Sequence, residues 1–321
     1  MDLTSFRNWV KESRFHLQAN GLSGVTDILR PPYMKFLHQI NQLAPPGTNI
    51  YSEDWDVLIV LDACRHDYLH RIIEDYLVVK SYDTRWSVGS MTAEWMNQTF
   101  IDEFSDLINQ TAYVCASPFS DSMLNAVNFE FLDEVWKYAW DDDIGTVPAS
   151  VVTDRAIKVG REMSPNRLLI HYMQPHVPFV ELSELTSGMS VSKGGFALGK
   201  SSGGFFEVND LWDELKFGNV SKSDIIEGCV SNLKYVLSDV KALTENLNST
   251  STIITADHGN SFGEWGVYGH PMRMPLSSIR RVPWVTIETT DQGEYSPSDY
   301  IRSDETNTKI ITERLEALGY R

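Results

Sequence analysis

Ile253-Ile254-Thr255-Ala256-Asp257-His258-Gly259-Asn260-Ser261-Phe262-Gly263-Glu264 decides how the rest of the chain is read. An apolar, β-branched run stops abruptly at a carboxylate next to an imidazole, and a glycine follows. That is how a buried strand delivers two metal ligands to its carboxyl end. An earlier run, Trp55-Asp56-Val57-Leu58-Ile59-Val60-Leu61, does the same and ends in Asp62. Two buried strands that each end in a ligand-type side chain suggest a metal site at the rim of an α/β sheet.

Outward from these two runs, strands and helices alternate. Further strands are expected over 77–82, 112–116, 167–173 and 282–288, beside 55–61 and 251–256. Helices are expected near 65–75, 92–107, 151–162 and 223–247. In the last, Ile225, Ile226, Val230, Leu233, Val236, Leu237 and Val240 recur at three- and four-residue steps, which marks one buried stripe. This alternation predicts an α/β fold, a mostly parallel central sheet with helices on both faces. Residues 1–50 read as a helical segment packed on the core. One amphipathic piece lies around Phe6, Trp9, Val10 and Phe15 and another around Tyr33, Phe36, Leu37 and Ile40, with Pro31-Pro32 and Pro45-Pro46-Gly47 as punctuation. Residues 51–321 then form the α/β domain. A Ser-, Gly- and Lys-containing stretch, 187–204, reads as a mobile loop, either a lid or an ordinary surface excursion.

Composition narrows the class. The chain has 321 residues and 42% hydrophobic content, enough for one large domain or two smaller ones. No run of 18 apolar residues is present, so no transmembrane helix is expected. The first residues lack a basic segment followed by an apolar core, so no secretory signal is read. Cys64, Cys115 and Cys229 are scattered, against a disulfide framework or a thiolate cluster. A cytoplasmic location is the resulting expectation. A net charge of −17, spread along the chain, disfavours nucleic acid and anionic membranes as partners. It also repels an anionic substrate unless the site itself holds a cation. Only 12 of the 27 basic residues are lysines, a composition compatible with a halophilic source. The oligomeric state is not legible.

Asp62 can ligate a metal, cap the following helix, or do both. Asp257 and His258 supply hard oxygen and borderline nitrogen, a pairing suited to Mn²⁺, Zn²⁺ or Mg²⁺. Gly259 permits close backbone approach or a positive φ. Ser87-Val88-Gly89-Ser90-Met91-Thr92 is a small-residue loop that enters a helix with hydroxyls at its start. Such a hydroxyl either caps the helix or, beside a metal at a positive helix end, becomes a nucleophile. In Gln174-Pro175-His176-Val177-Pro178-Phe179 two prolines hold His176 at a strand end, where it can contact an oxyanion or protonate a leaving group. His171, inside the strand, reads as a satisfied core residue. His270 hangs on the loop Gly263-Glu264-Trp265-Gly266-Val267-Tyr268-Gly269-His270 and can reach the same anion. Arg65 is either an anion contact or a helix-surface ion pair.

In this order the motifs resemble those of the alkaline phosphatase superfamily, in its sulfatase-like branch, which includes sulfatases, phosphonate monoester hydrolases and lipoteichoic acid synthases. The resemblance spans about residues 50–290. It rests on Asp62 after the first core strand, Thr92 (Ser90 second) at a helix start, Pro175-His176-Val177-Pro178-Phe179, Asp257-His258-Gly259, and Gly263-Glu264 through His270. The chain departs from formylglycine sulfatases in three ways. It has no Cys-x-Pro-Ser-Arg, Ala63 stands where a second Asp would be, and the pair is Asp-His rather than Asp-Asn.

These departures point to the threonine-type phosphoesterases and phosphotransferases. The resemblance thus implies a metal-dependent hydrolase or transferase acting on a phosphate or sulfate ester. Thr92 is the implied nucleophile, and Asp62, Thr92, Asp257 and His258 hold one divalent ion, Mn, Zn or Mg rather than Ca. His176 and His270 assist catalysis and are the weakly marked candidates for a second ion. The partner implied is a small anionic ester, sugar- or lipid-linked ones included. The rival expectation is a non-catalytic relative that keeps the fold as a binding or scaffold module.

Overall fold

The structure is a computed structural model and describes residues 24–181, 211–300 and 308–318. The expected helix around Phe6 and Trp9 and the 187–204 loop lie outside these residues. The chain divides into two units, Met1–Pro45 with Arg273–Pro275, and Pro46–Met272 with Leu276–Arg321. The division falls at the Pro45-Pro46 punctuation. In the first unit a helix runs over Gly24–Asn41 with Pro31 and Pro32 inside it. Those prolines do not separate two helices as expected. Their fixed φ is helical, and the local cost is two missing N–H donors.

In the larger unit the described strands are β1 (Val57–Leu61), β2 (Val79–Trp86), β3 (Thr111–Cys115), β4 (Phe131–Glu134), β5 (Arg167–Tyr172), β6 (Thr252–Thr255) and β9 (Arg281–Ile287), with a small ribbon of β7 (Ser261–Phe262) and β8 (Tyr268–Gly269). Seven of them form one sheet in the order β2-β9-β6-β1-β5-β3-β4. The pairs β6-β1, β1-β5, β5-β3 and β3-β4 are parallel, while β9 runs antiparallel to both β6 and β2. The fold is the mostly parallel α/β sheet that the alternation predicts. Strand β4 was not expected. It is four residues long, ends in Asp133-Glu134 and pairs with β3 alone, so it carries little apolar signal. Strand β2 runs on to Trp86, past the expected end at 82. Its Asp83, Thr84 and Arg85 lie on a sheet edge, where polar side chains can face water.

β1 is apolar along its whole length because both its faces are covered. Val57, Ile59 and Leu61 enter one buried cluster, and Leu58 and Val60 enter the other. The longer helices are α1 (His66–Ile72), α2 (Thr92–Thr99), α3 (Ala149–Met163) and α4 (Lys222–Thr244). α3 and α4 pack on the first face through Val152, Ile157, Leu233, Val236 and Val240. α2 packs on the second through Trp95 and Met96. α2 was expected to continue to 107 but ends at Thr99. There the chain turns so that the Phe100 ring meets Tyr51, Trp95, Tyr113 and Phe129. A third cluster, Val177, Phe179, Leu211, Leu215, Ile225 and Phe262, underlies the segment that carries His176. No helix among the described residues is long and apolar enough to cross a membrane.

Register brings the strand ends that carry ligand-type side chains together. Leu61 pairs with Tyr172 and Val60 with both His171 and Thr255. The carboxyl ends of β5, β1 and β6 therefore sit side by side, and the next residues of the chain face one another.

Candidate metal centre

Asp62, Asp257 and His258 each present a ligand atom, and these atoms lie within 4.8 Å of one another at fully buried positions. His258 Nε2 is 3.4 Å from Asp257 Oδ2 and 3.7 Å from Asp62 Oδ1. Thr92 Oγ1, also buried, donates to Asp62 Oδ2 at 3.4 Å and stands 3.3 Å from His258 Nε2. Four side chains separated by up to 196 positions (258 minus 62) thus share one point. Neighbouring ligands of a tetrahedral ion with bonds of ~2.0–2.2 Å stand about 3.3–3.6 Å apart, close to the spacing here.

The donor chemistry fits a cation. His258 Nδ1–H donates to the Gly259 carbonyl at 2.9 Å, so Nε2 carries the lone pair and faces the carboxylates. Asp257 Oδ1 accepts from the backbone N–H of Ala63 at 3.1 Å and of His258 at 2.8 Å, which aims Oδ2 at the same point. Asp62 Oδ1 and Asp257 Oδ2 find no hydrogen-bond partner among the described residues. Leaving a buried polar atom unpaired costs about 1–3 kcal/mol, more for a charged one. Burial, and then the facing Asp257 carboxylate, push the Asp62 carboxyl well above its usual range, although the Thr92 hydroxyl works the other way. A divalent cation resolves both the missing partners and the repulsion. One imidazole nitrogen beside carboxylate oxygens is a donor set that suits a divalent cation.

The local backbone explains the placement. The cap of α1 is Arg65, with no side-chain capping bond, so Asp62 is not spent on capping. α2 starts at Thr92 after Met91, again with no side-chain cap. The Ser90 hydroxyl donates to Glu94 Oε2 at 2.7 Å and is 2.9 Å from the Pro271 carbonyl, whereas the Thr92 hydroxyl faces the ligands. Of the two hydroxyls, Thr92 is the one at the centre. Gly259 is required for close approach, not for a positive φ. A Cβ there would stand 2.4 Å from the Ser278 carbonyl oxygen. Arg65 pairs with Asp67 and with Glu264 at 2.8 Å and donates to the Asn260 carbonyl, the ion-pair role of the two expected. It ties the start of α1 to the 260–264 loop and holds the Glu264 carboxyl at about 2 against the effect of burial.

His176 and His270 meet at the rim, with 3.1 Å between their Nε2 atoms, and the His270 ring lies 4.5 Å from that of His258. His176 Nδ1–H donates to the Val177 carbonyl at 2.7 Å, so its Nε2 accepts and His270 Nε2–H donates. Burial lowers the His176 imidazole to about 4 and that of His270 well below its usual value. Both are neutral near pH 7.

Several supporting residues were not singled out in the sequence. Asn232 Nδ2, buried on α4, donates to the carbonyls of His176 at 2.9 Å and Pro178 at 2.8 Å, and its Oδ1 accepts from Val180 N–H. A polar residue next to Leu233 in an apolar stripe was the available signal. The Ser87 hydroxyl donates to the Asp257 carbonyl, and the Arg280 guanidinium donates to the Ser87 carbonyl at 2.7 Å. This links the loop before Thr92 to β6, and nothing local in the sequence marks it. His171 is the core residue expected, with its Nδ1 2.9 Å from the Tyr113 hydroxyl, but it is satisfied on one side only. It is fully buried, but its Nε2 finds no hydrogen-bond partner among the described residues and lies 4.0 Å from an oxygen of both Asp62 and Asp257.

Solved structures similar to this chain were found. One is a candidate sulfatase from Bacteroides thetaiotaomicron VPI-5482, at 11% identity over 84% of this chain and 72% of that one, with TM-score 0.43. The soluble domain of lipooligosaccharide phosphoethanolamine transferase A from Neisseria meningitidis matches at 13% identity over 75% and 79%, with TM-score 0.41. The C-terminal periplasmic domain of phosphoethanolamine transferase EptC from Campylobacter jejuni matches at 14% identity over 72% and 77%, with TM-score 0.38. No family model matches the chain, and no curated protein matches it.

Proposed function

We propose that the protein is a metal-dependent hydrolase or transferase acting on a phosphate or sulfate ester, with Thr92 as nucleophile. The observation that carries the reading is the buried convergence of Asp62, Asp257 and His258 lone pairs, two of them without partners, on the Thr92 hydroxyl. A divalent cation bound there supplies positive charge that offsets both carboxylates and makes a neighbouring hydroxyl more acidic.

Asp62 Oδ2 takes the Thr92 proton, and Thr92 Oγ1 attacks phosphorus or sulfur in line. The new Oγ1 bond forms as the ester bond to the leaving oxygen breaks. The N-terminus of α2 presents N–H groups to the non-bridging oxygens. His270 Nε2–H, donated to His176 Nε2 in the free site, exchanges that acceptor for a substrate oxygen at the rim and stabilises the charge developing there. The departing oxygen takes a proton from solvent. Water, or an acceptor alcohol, then attacks the same centre and gives its proton to solvent, while the electron pair of the Oγ1 bond returns to Thr92, which regains the proton held on Asp62.

Release of p-nitrophenol from p-nitrophenyl phosphate, bis-p-nitrophenyl phosphate and p-nitrophenyl sulfate, with Mn²⁺, Zn²⁺, Mg²⁺ or Ca²⁺ in turn, tests the reading. Turnover of one ester with one of the first three ions is expected. Inactivity under every combination would favour the scaffold role.

A further inference from the structure

Among the described residues, His171 is the histidine beside the centre left without a task, and its surroundings are specific. On the Nδ1 side the Tyr113 hydroxyl lies 2.9 Å away, and the two rings stack at 9°. Trp95 closes a third side, edge-on at 5.6 Å. The Nε2 side points between β1 and β6, where Asp62 Oδ2 and Asp257 Oδ2 are equidistant at 4.0 Å. His171 lies outside the set of ligand atoms that are mutually close, so it faces the carboxylates without joining His258.

Two proton placements are available. If Nδ1–H donated to Tyr113, the Nε2 lone pair would face two carboxylate oxygens in a dry interior, an electrostatic clash. If the Tyr113 hydroxyl donates to Nδ1, Nε2–H faces those oxygens, and an unpartnered donor meets the unpartnered acceptor Asp257 Oδ2. Only the second is complementary. We infer that His171 is a positioning residue, set by Tyr113 so that its Nε2–H orients the Asp62 and Asp257 carboxylates for cation binding. At 4.0 Å this is a charge–dipole contact rather than a hydrogen bond; loss of the groups that orient ligating side chains typically costs about 10- to 100-fold in metal affinity. The inference rests on the metal-centre reading above.

The test is calorimetric titration of the substrate-free protein with Mn²⁺ and Zn²⁺. His171→Leu fills the same space without a donor and is expected to bind about 10- to 100-fold more weakly. His171→Gln restores an N–H near the Nε2 position and is expected to recover most of that loss, which a purely structural role would not produce. Tyr113→Phe, nearly isosteric and thus able to fold, is expected to weaken binding by about threefold to tenfold. Thermal unfolding of each variant checks that the comparison is between folded proteins. Unchanged affinity in His171→Leu or Tyr113→Phe overturns the inference, as does a Gln variant no better than Leu. A wild type that binds neither ion instead removes the metal reading itself, and the inference with it.

Discussion

Strand β1 has an aspartate just before it and another just after it, and the fold treats them in opposite ways. Asp56 Oδ2 accepts from the N–H groups of Thr250 and Ser251, both at 3.0 Å, and from the Thr250 hydroxyl. Burial pushes its carboxyl up, but hydrogen bonds from Thr250, Ser251 and Ser249 outweigh that and leave it below the ordinary range. Asp62, six positions on, is fully buried, faces a second carboxylate and keeps one oxygen without a partner among the described residues. At the amino end of the strand the carboxylate closes a turn and stabilises. At the carboxyl end the same group costs stability, as charged groups gathered at a candidate site do. Asp133 gives a second contrast. Buried as completely as Asp62, it is held by Arg155 at 2.7 Å and Tyr138 at 2.9 Å.

The comparison can be broken most sharply at Thr92. Thr92→Ala is expected to lower turnover by about a thousandfold or more, while Mn²⁺ affinity, measured by calorimetry, falls by less than about tenfold. Loss of ion binding as large as the loss of rate would make Thr92 a ligand only. Next, Asn232→Leu releases the carbonyls of the His176 segment. It should lower kcat by about 10- to 100-fold through misplacement and lower stability by roughly 1–3 kcal/mol. A stability loss with unchanged kcat would separate His176 from the reaction.

The two aspartates themselves give opposite signs. In chelator, Asp62→Asn should melt above the wild type, by about 1 kcal/mol or more, because it removes like-charge repulsion in the interior. The gain should depend on pH. A carboxyl raised on folding binds more protons in the native than in the unfolded state at pH values between its two pKa values. The wild type's penalty is therefore present above the raised value and disappears as pH falls toward the ordinary value near 3.8. The gap between the two melting curves should narrow on acidification, and saturating Mn²⁺ should reverse it. A gap that is independent of pH would mean Asp62 does not carry the repulsion. The smallest effect is expected at the other end. Asp56→Asn should destabilise by about 1 kcal/mol and leave turnover unchanged. Its carboxyl is depressed, so the wild-type advantage is present above about pH 3.8 and is lost on acidification, the reverse of Asp62.

The sheet and the ligand-bearing strand ends were legible because both are written in short, local runs. Val57–Leu61 and Thr252–Thr255 are continuous apolar stretches that only a strand covered on both faces needs, and Asp62 and Asp257 interrupt them abruptly. The α4 stripe was legible for the same reason. β4 and the early end of α2 were not, since one is a four-residue edge and the other is set by where Phe100 finds aromatic neighbours.

The chain by itself determined which side chains stand at strand ends, because hydrophobic periodicity and its interruption are properties of neighbours in sequence. Only the tertiary structure decided that His171 belongs with the carboxylates, that Thr92 rather than Ser90 faces them, and that Asn232 and Arg280 brace the segments around them. Those relations depend on strand register and ring orientation, which are fixed by packing between residues far apart in the chain.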